Sequence, residues 1–190
     1  MLWLRIKTRL AAFRDDASGS FMVESVIALP LLFWTLCATF EFFEVHRYKS
    51  VREKATYTIA DMISREQDVV TDIYVDNAMT LYDEIASDTG TNQLRITIVQ
   101  YDEDNDIYAV AWSEVRGSGR LFPLDDNDVA NKHATLPVMD DGEQVIVVES
   151  VSNYDSLFDL VLSDTISIET RVFTSIRFAP QICFDACTSS

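Results

Sequence analysis

The sequence predicts an α+β protein: a long N-terminal transmembrane helix that continues as a spine, a second helix, and an antiparallel sheet of about four strands. Three observations lead to this class. An apolar block from Ser20 to Phe43 is long enough to cross a membrane, a helical apolar period continues after it as far as Arg65, and from Leu94 onward the apolar period falls to two, as in β-strands. The 190 residues leave room for one compact domain of roughly 100 to 130 residues beside the helix.

Residues 1–19 form a basic leader, and residues 20–43 form the predicted transmembrane helix. The first acid, Asp15, is preceded by cations at Arg5, Lys7, Arg9 and Arg14. About 20 apolar residues at 1.5 Å rise span the hydrocarbon core. Because cationic flanks stay on the cytoplasmic side, the leader predicts a cytoplasmic N-terminus and a domain on the far side of the membrane.

Glu24 is the one charged residue between Phe21 and Phe40. A carboxylate costs a few kcal/mol at the bilayer centre and less toward its edge, so an acid in such a segment is a functional candidate. The surrounding residues read Ser-Gly-Ser-Phe-Met-Val-Glu, the pattern of a type IV prepilin signal. Cleavage between Gly19 and Ser20 makes Glu24 the fifth residue of the mature chain, about one helical turn from the new amine. The resemblance to prepilin signals implies that the amine of a neighbouring subunit would pair with Glu24.

The segment has three other interpretations. A secretory signal would have an apolar region of about 7 to 15 residues, shorter than this block. A lipoprotein signal ending at Cys37 needs a small residue before the cysteine, where Leu36 stands. In an uncleaved anchor, Glu24 would extend to the cytoplasmic interface without a partner.

Residues 44–66 contain no Gly or Pro, so the helix is predicted to continue beyond the membrane. An apolar stripe at helical spacing follows it, at Tyr48, Val51, Ala55, Ile59 and Met62. Pro30 lies inside the first half of the helix and cannot donate a backbone hydrogen bond. It therefore predicts a helix kink, which either serves subunit packing or is a harmless irregularity.

Residues 67–190 are predicted to form an exported acidic α+β domain. A second helix is expected from Val69 to Ala86, and the segment 116–142, rich in Gly, Pro and Asp, is expected to be a long irregular loop. The apolar run in 144–151 indicates a central strand covered on both faces, whereas the last strand has one buried face. The predicted strands lie at 94–99, 107–112, 144–151 and 166–178.

The N-terminal segments resemble one group within the type IV pilin-like class, the TadE-like proteins of Tad (tight-adherence, Flp-type) pilus systems. The resemblance covers mainly residues 18–66. It implies a minor pilin or pseudopilin that is cut by a prepilin peptidase in the bacterial inner membrane. Its partners would be other pilins or pseudopilins and the pilus assembly platform, in pilus biogenesis and surface adherence. The segments that carry the resemblance are Gly19-Ser20 through Glu24, Leu29-Pro30-Leu31, Phe40-Glu41 and Tyr57 through Arg65.

Charge is divided unevenly along the chain. Residues 1–54 carry eight Lys or Arg against six Asp or Glu, and residues 55–190 carry seven against 25. A domain this acidic repels phosphate, which disfavours nucleic-acid partners and anionic lipid. Cys183 and Cys187 can pair in an oxidising compartment, where so small a loop contributes on the order of 2 kcal/mol; two reduced thiols are the alternative.

Neither a catalytic site, a metal site nor a cofactor site is predicted. The sequence has no Walker loop, zinc-protease helix or nucleophile elbow, and the calcium-loop pattern that begins at Asp102 fails at Ile107. The acidic turns 125–128 and 140–142 keep calcium open as an alternative. The sequence leaves two alternative functions open. In these the chain is either an uncleaved single-pass protein whose periplasmic domain binds an envelope partner, or a membrane-tethered hydrolase.

Overall fold

The computed structural model describes residues 18–87, 91–156 and 165–187, together with Arg9, Phe13 and Arg14. Nearly all of the leader therefore lies outside the described residues. The four strands are antiparallel and stand in the order β2-β1-β3-β4, which confirms the predicted α+β class. The elements are α1 Ser18–Ser64, α2 Asp72–Ala86, β1 Gln93–Asp102, β2 Ile107–Arg116, α3 Asp126–Val129, β3 Gln144–Tyr154 and β4 Ile166–Ser175.

Helix α1 has 47 residues and includes Pro30, so at 1.5 Å rise it is about 70 Å long. The prediction that one helix continues past the apolar block is confirmed. Downstream of Pro30, the hydroxyls of Thr35 and Thr39 each donate to the carbonyl four residues earlier, both at 2.8 Å. The helix is unbroken at Pro30, and the kink stays a prediction.

One face of the sheet packs against the second half of α1 and against α2. Ile59 and Ile63 of α1 and Tyr82 of α2 are fully buried there, and burial of one such side chain stabilises by about 1.5–3 kcal/mol. Two side-chain hydrogen bonds cross this core: Thr56 Oγ1 lies 2.8 Å from Ser150 Oγ, and the Tyr82 hydroxyl lies 3.2 Å from Ser152 Oγ. The later part of the stripe predicted on α1, at Ala55, Ile59 and Met62, thus packs in the helix-side core.

The second helix begins at Asp72, three residues later than predicted. Thr71 caps it, because its side chain accepts a hydrogen bond from the Tyr74 N–H. Val70 pairs instead with Phe184 in a parallel bridge. The backbone of Val70 is therefore used by the C-terminal segment and not by the helix.

The predicted irregular loop covers the other face of the sheet. It contains the short helix α3, closed by a capping box between Asp125 and Asp128, and it contributes Val129 and Met139 to a second core that includes Val99, Tyr108, Val145 and Val147. As a result β1 is buried on both faces from Gln93 to Val99, which simple alternation did not predict. β3 is covered on both faces as predicted.

The C-terminal segment closes over the connection between α1 and α2. Strand β4 alternates as predicted but ends at Ser175, short of the predicted Phe178. Cys183 and Cys187 form a disulfide, as predicted. The Val70 N–H donates to the Cys183 carbonyl at 2.9 Å, and Trp112 Nε1 donates to the Ile182 carbonyl at 2.9 Å.

Candidate functional site

The first half of α1, from Met22 to Phe40, is mainly apolar and largely exposed on all sides. It is the one helix of the described residues that is long and apolar enough to cross a membrane, and almost none of its apolar stretch is buried in the structure. A helix that is apolar all round needs lipid or other helices to cover it. Its exposed large side chains include Val23, Val26, Ile27, Leu29, Leu32, Phe33 and Leu36.

The predicted processing and docking residues lie at the start of this helix. The backbone of Gly19 and Ser20 lies in the first turn of α1. Glu24 is exposed, and within the described chain it makes no hydrogen bond or ion pair. Among the residues that the structure describes, no cation lies next to Glu24. The roles predicted for Gly19, Ser20 and Glu24 involve other molecules, a peptidase and a neighbouring subunit, and therefore stay predictions.

The boundary between the two halves of α1 holds a buried carboxylate. Glu41 is fully buried, and the Tyr154 hydroxyl at the end of β3 donates to Glu41 Oε1 at 2.8 Å. Burial, followed by the hydrogen bond to Glu41, raises the pKa of Tyr154 to about 12. The last residue of β3 is thereby attached to the helix at the point where the apolar block ends.

Three contacts of Tyr48 accompany this attachment. The Tyr48 hydroxyl donates to the Asn153 carbonyl at 2.7 Å, and the rings of Tyr48 and Tyr154 meet edge to face with centroids 5.0 Å apart. The Arg52 guanidinium carbon lies 3.0 Å from the centre of the Tyr48 ring. We call Glu41, Tyr48, Arg52 and Tyr154 the junction cluster.

Sequence reasoning missed the junction cluster. Glu41 entered the prediction only through the Phe40-Glu41 segment of the resemblance, and Arg52 had no predicted role, although Glu41, Tyr48 and Arg52 are spaced by seven and four residues. That spacing places all three on one helix face. The sequence signal that could have revealed the cluster is that these charged residues lie on the same helix face as the apolar stripe that packs on the domain.

The predicted acidic turns lie at the end of the domain opposite the junction cluster. Carboxylates in these turns and in the turn between β1 and β2 accept backbone hydrogen bonds: Asp102 accepts from the Asn105 N–H at 3.1 Å, and Asp141 accepts from the Glu103 N–H at 3.1 Å. Hydrogen bonds from Asn105 hold the pKa of Asp102 below its usual value. Among the described residues, no group of three or more His, Cys, Asp or Glu is arranged to hold a metal ion.

The two histidines lie in unrelated places. His46 meets the ring of Phe42 with centroids 4.4 Å apart on exposed α1. His133 lies against Tyr108 with ring centroids 5.1 Å apart, and its Nδ1 lies 3.9 Å from an oxygen of Asp106. These contacts place His133 in the packing of the loop.

No protein-family model, curated protein or solved structure matches this chain. The class is therefore defined by the architecture alone. A long apolar N-terminal helix, free along its first half and packed along its second half on a four-stranded antiparallel sheet, is a pilin-like architecture.

Proposed function

We propose that this protein is a TadE-like minor pilin or pseudopilin, a non-catalytic subunit that joins other subunits of a pilus assembly system through α1. The observation that carries the proposal is the unequal cover of α1: its first half is mainly apolar and largely exposed on all sides, whereas one face of its second half is buried against its own domain. A bare apolar half is what a subunit needs to stand in a membrane and then in a bundle of similar helices.

Glu24 supplies the register between subunits in this proposal. A prepilin peptidase cuts after Gly19, and Ser20 then carries a free α-ammonium group about one turn below Glu24. Within one helix the two groups are separated along the axis, but a small stagger between adjacent helices brings the amine of one subunit to the carboxylate of the next. Pairing offsets the cost of an ionised carboxylate in lipid, which is a few kcal/mol at the bilayer centre.

The junction cluster gives the outer domain a fixed attachment to the membrane helix. Because α1 continues from the apolar half into the core and Tyr154 is bonded to Glu41 at 2.8 Å, the domain follows the helix as one unit. Its acidic turns lie at the far end. In the proposed orientation the leader is cytoplasmic at the inner membrane, and the acidic turns face the periplasm or the outside of a pilus.

The test is the mature N-terminus. The full chain is expressed with its candidate prepilin peptidase, and the intact mass and terminal peptide are read by mass spectrometry. We expect loss of Met1 to Gly19, and we expect Gly19→Val to block the cut while the matched change Ser18→Val does not. A native protein that keeps its leader would reject the pilin mechanism and would favour the uncleaved single-pass protein with an envelope partner.

A further inference from the structure

The face of the sheet away from α1 carries a pocket beneath the loop that contains α3. Its volume is about 380 Å³, within the usual range for small-ligand sites. Its walls are mainly apolar and come from both the loop and the sheet. They include Leu124, Val129, Leu136, Val147 and Phe173.

Two arginines share one buried carboxylate at the base of this pocket. Glu149 is buried and accepts from Arg95 Nε at 2.7 Å and from Arg171 Nε at 2.6 Å. Arg95 also donates through Nη1 to the Phe122 carbonyl at 2.8 Å, so all three of its nitrogens are used. Arg171 is different: its side chain is half exposed, and within the described chain its Nη1 makes no hydrogen bond.

The charges that line the pocket leave one positive charge in excess. Arg95, Arg171 and Lys132 stand against Glu149 and Asp128. Asp128 is already used, because its Oδ2 accepts from the Asp125 N–H at 3.1 Å in the cap of α3. In a region with 25 acids and seven Lys or Arg, a positive concave site with apolar walls is suited to an apolar anion.

We propose that this pocket binds a carboxylate carried on an apolar body. The carboxylate meets Nη1 of Arg171, since Nε and Nη2 of that guanidinium already pair with Glu149, and it meets Lys132 at the rim, while the apolar body lies against Leu136 and Phe173. A carboxyl-terminal residue of a polypeptide and a free organic acid share this chemistry. The proposal is independent of the pilin assignment, because the pocket lies on the sheet face that α1 does not touch.

The experiment uses the full chain in lipid nanodiscs with labelled Leu and Val methyl groups. N-acetyl-L-phenylalanine is titrated against N-acetyl-L-phenylalaninamide, which has the same apolar body without the charge. We expect saturable shifts of the Leu124, Val129 and Leu136 methyls with the acid, and at least tenfold weaker binding of the amide. Equal binding of acid and amide, or shifts confined to other methyls, would overturn the proposal.

Variants separate recognition from folding. Arg171→Gln should weaken binding of the acid at least tenfold, whereas the matched change Arg120→Gln should not, since Arg120 pairs with Glu169 outside the pocket. Lys132→Gln, at the rim, should weaken it a few-fold without touching the buried pair. Methyl spectra outside the pocket report whether each variant is folded. Wild-type binding by both pocket variants would refute the site.

A comparison with hexanoate identifies the source of the carboxylate. Tighter binding of N-acetyl-L-phenylalanine than of hexanoate supports a polypeptide terminus, because the acetylated residue supplies an amide and a ring. Hexanoate binding that equals or exceeds it supports a free acid. Failure of both acids to bind would overturn the proposal without affecting the cleavage test of the pilin assignment.

Discussion

The two halves of α1 are built from the same helix but have opposite surroundings. Ile27 in the first half is 61% exposed, whereas Ile59 in the second half is 0% exposed. Their backbones are alike, and both side chains are equally apolar. The difference is that the second half is covered by α2 and the sheet, while nothing in the described chain covers the first.

The two halves of α1 therefore contribute to different properties: the second half to the stability of the domain, and the first half to assembly. Side chains of the second half contribute to the free energy of unfolding of the domain, since unfolding exposes them to water. Side chains of the first half are equally exposed before and after the domain unfolds. They contribute free energy only when lipid or another subunit covers them. The junction cluster lies at the boundary between the two halves.

The largest effect is expected from Ile59→Ala. Removing a fully buried isoleucine side chain leaves a cavity and should lower the free energy of unfolding of the domain by about 2–5 kcal/mol. The measurement is native-state hydrogen exchange of amides in β1 and β3, on the full chain in nanodiscs, which reports the free energy of global opening.

The matched control is Ile27→Ala, the same change in the same helix. It should leave exchange in the sheet unchanged, because Ile27 touches no part of the domain core. Equal losses from the two substitutions would show that the halves do not differ as described. A small loss from Ile59→Ala alone would show that the helix-side core collapses to fill the cavity.

A smaller effect is expected at the boundary, from Tyr154→Phe. This change removes the hydroxyl that donates to the buried Glu41 Oε1, and loss of a hydrogen bond to a carboxylate costs about 1.5–3 kcal/mol. Adding Glu41→Leu should recover much of the loss, since removing both partners of a buried hydrogen bond can be nearly neutral. A double variant no more stable than Tyr154→Phe would mean that this bond does not couple the two residues.

The pH dependence provides a second measurement of the same bond. The folded pKa of Tyr154, about 12, lies above the ordinary tyrosine value of about 10. The stability this provides is complete below about pH 10 and is lost as pH rises toward 12. The part of the alkaline loss that belongs to Tyr154 should be absent in Tyr154→Phe.

The smallest effect on the domain is expected from Glu24→Ala. Because Glu24 is exposed and lies in the bare half, sheet exchange should stay within about 0.5 kcal/mol of the parent value. Processing should still occur, but incorporation into assembled subunits should fall strongly if the carboxylate pairs with a neighbour's amine. Cross-linking and fractionation of assembled material measure this.

Its matched control is Glu53→Ala, an exposed acid of the second half. That variant should be both stable and incorporated. Normal incorporation of Glu24→Ala would contradict the proposed pairing between the amine and the carboxylate. Loss of incorporation by both variants would point to overall charge as the cause.

Residue periodicity predicted most of the architecture, because it reflects local geometry. The stripe through Ala55 and Ile59 and the alternation in β4 follow directly from 3.6-residue and two-residue repeats. The Cys183–Cys187 disulfide followed from short separation. The start of α2 could not be predicted from local periodicity, since Val70 forms a bridge with Phe184, a residue far away in the chain.

What the sequence determined by itself is the element order, the apolar half of α1 and the position of Glu24 within it, since these depend on neighbouring residues. Only the tertiary structure decided that the loop 116–142 covers the back of the sheet and that Glu41 and Glu149 are buried beside distant partners. Glu149 meets Arg95 across 54 residues, and Glu41 meets Tyr154 across 113. Contacts over such separations depend on how the layers assemble, and no local pattern encodes them.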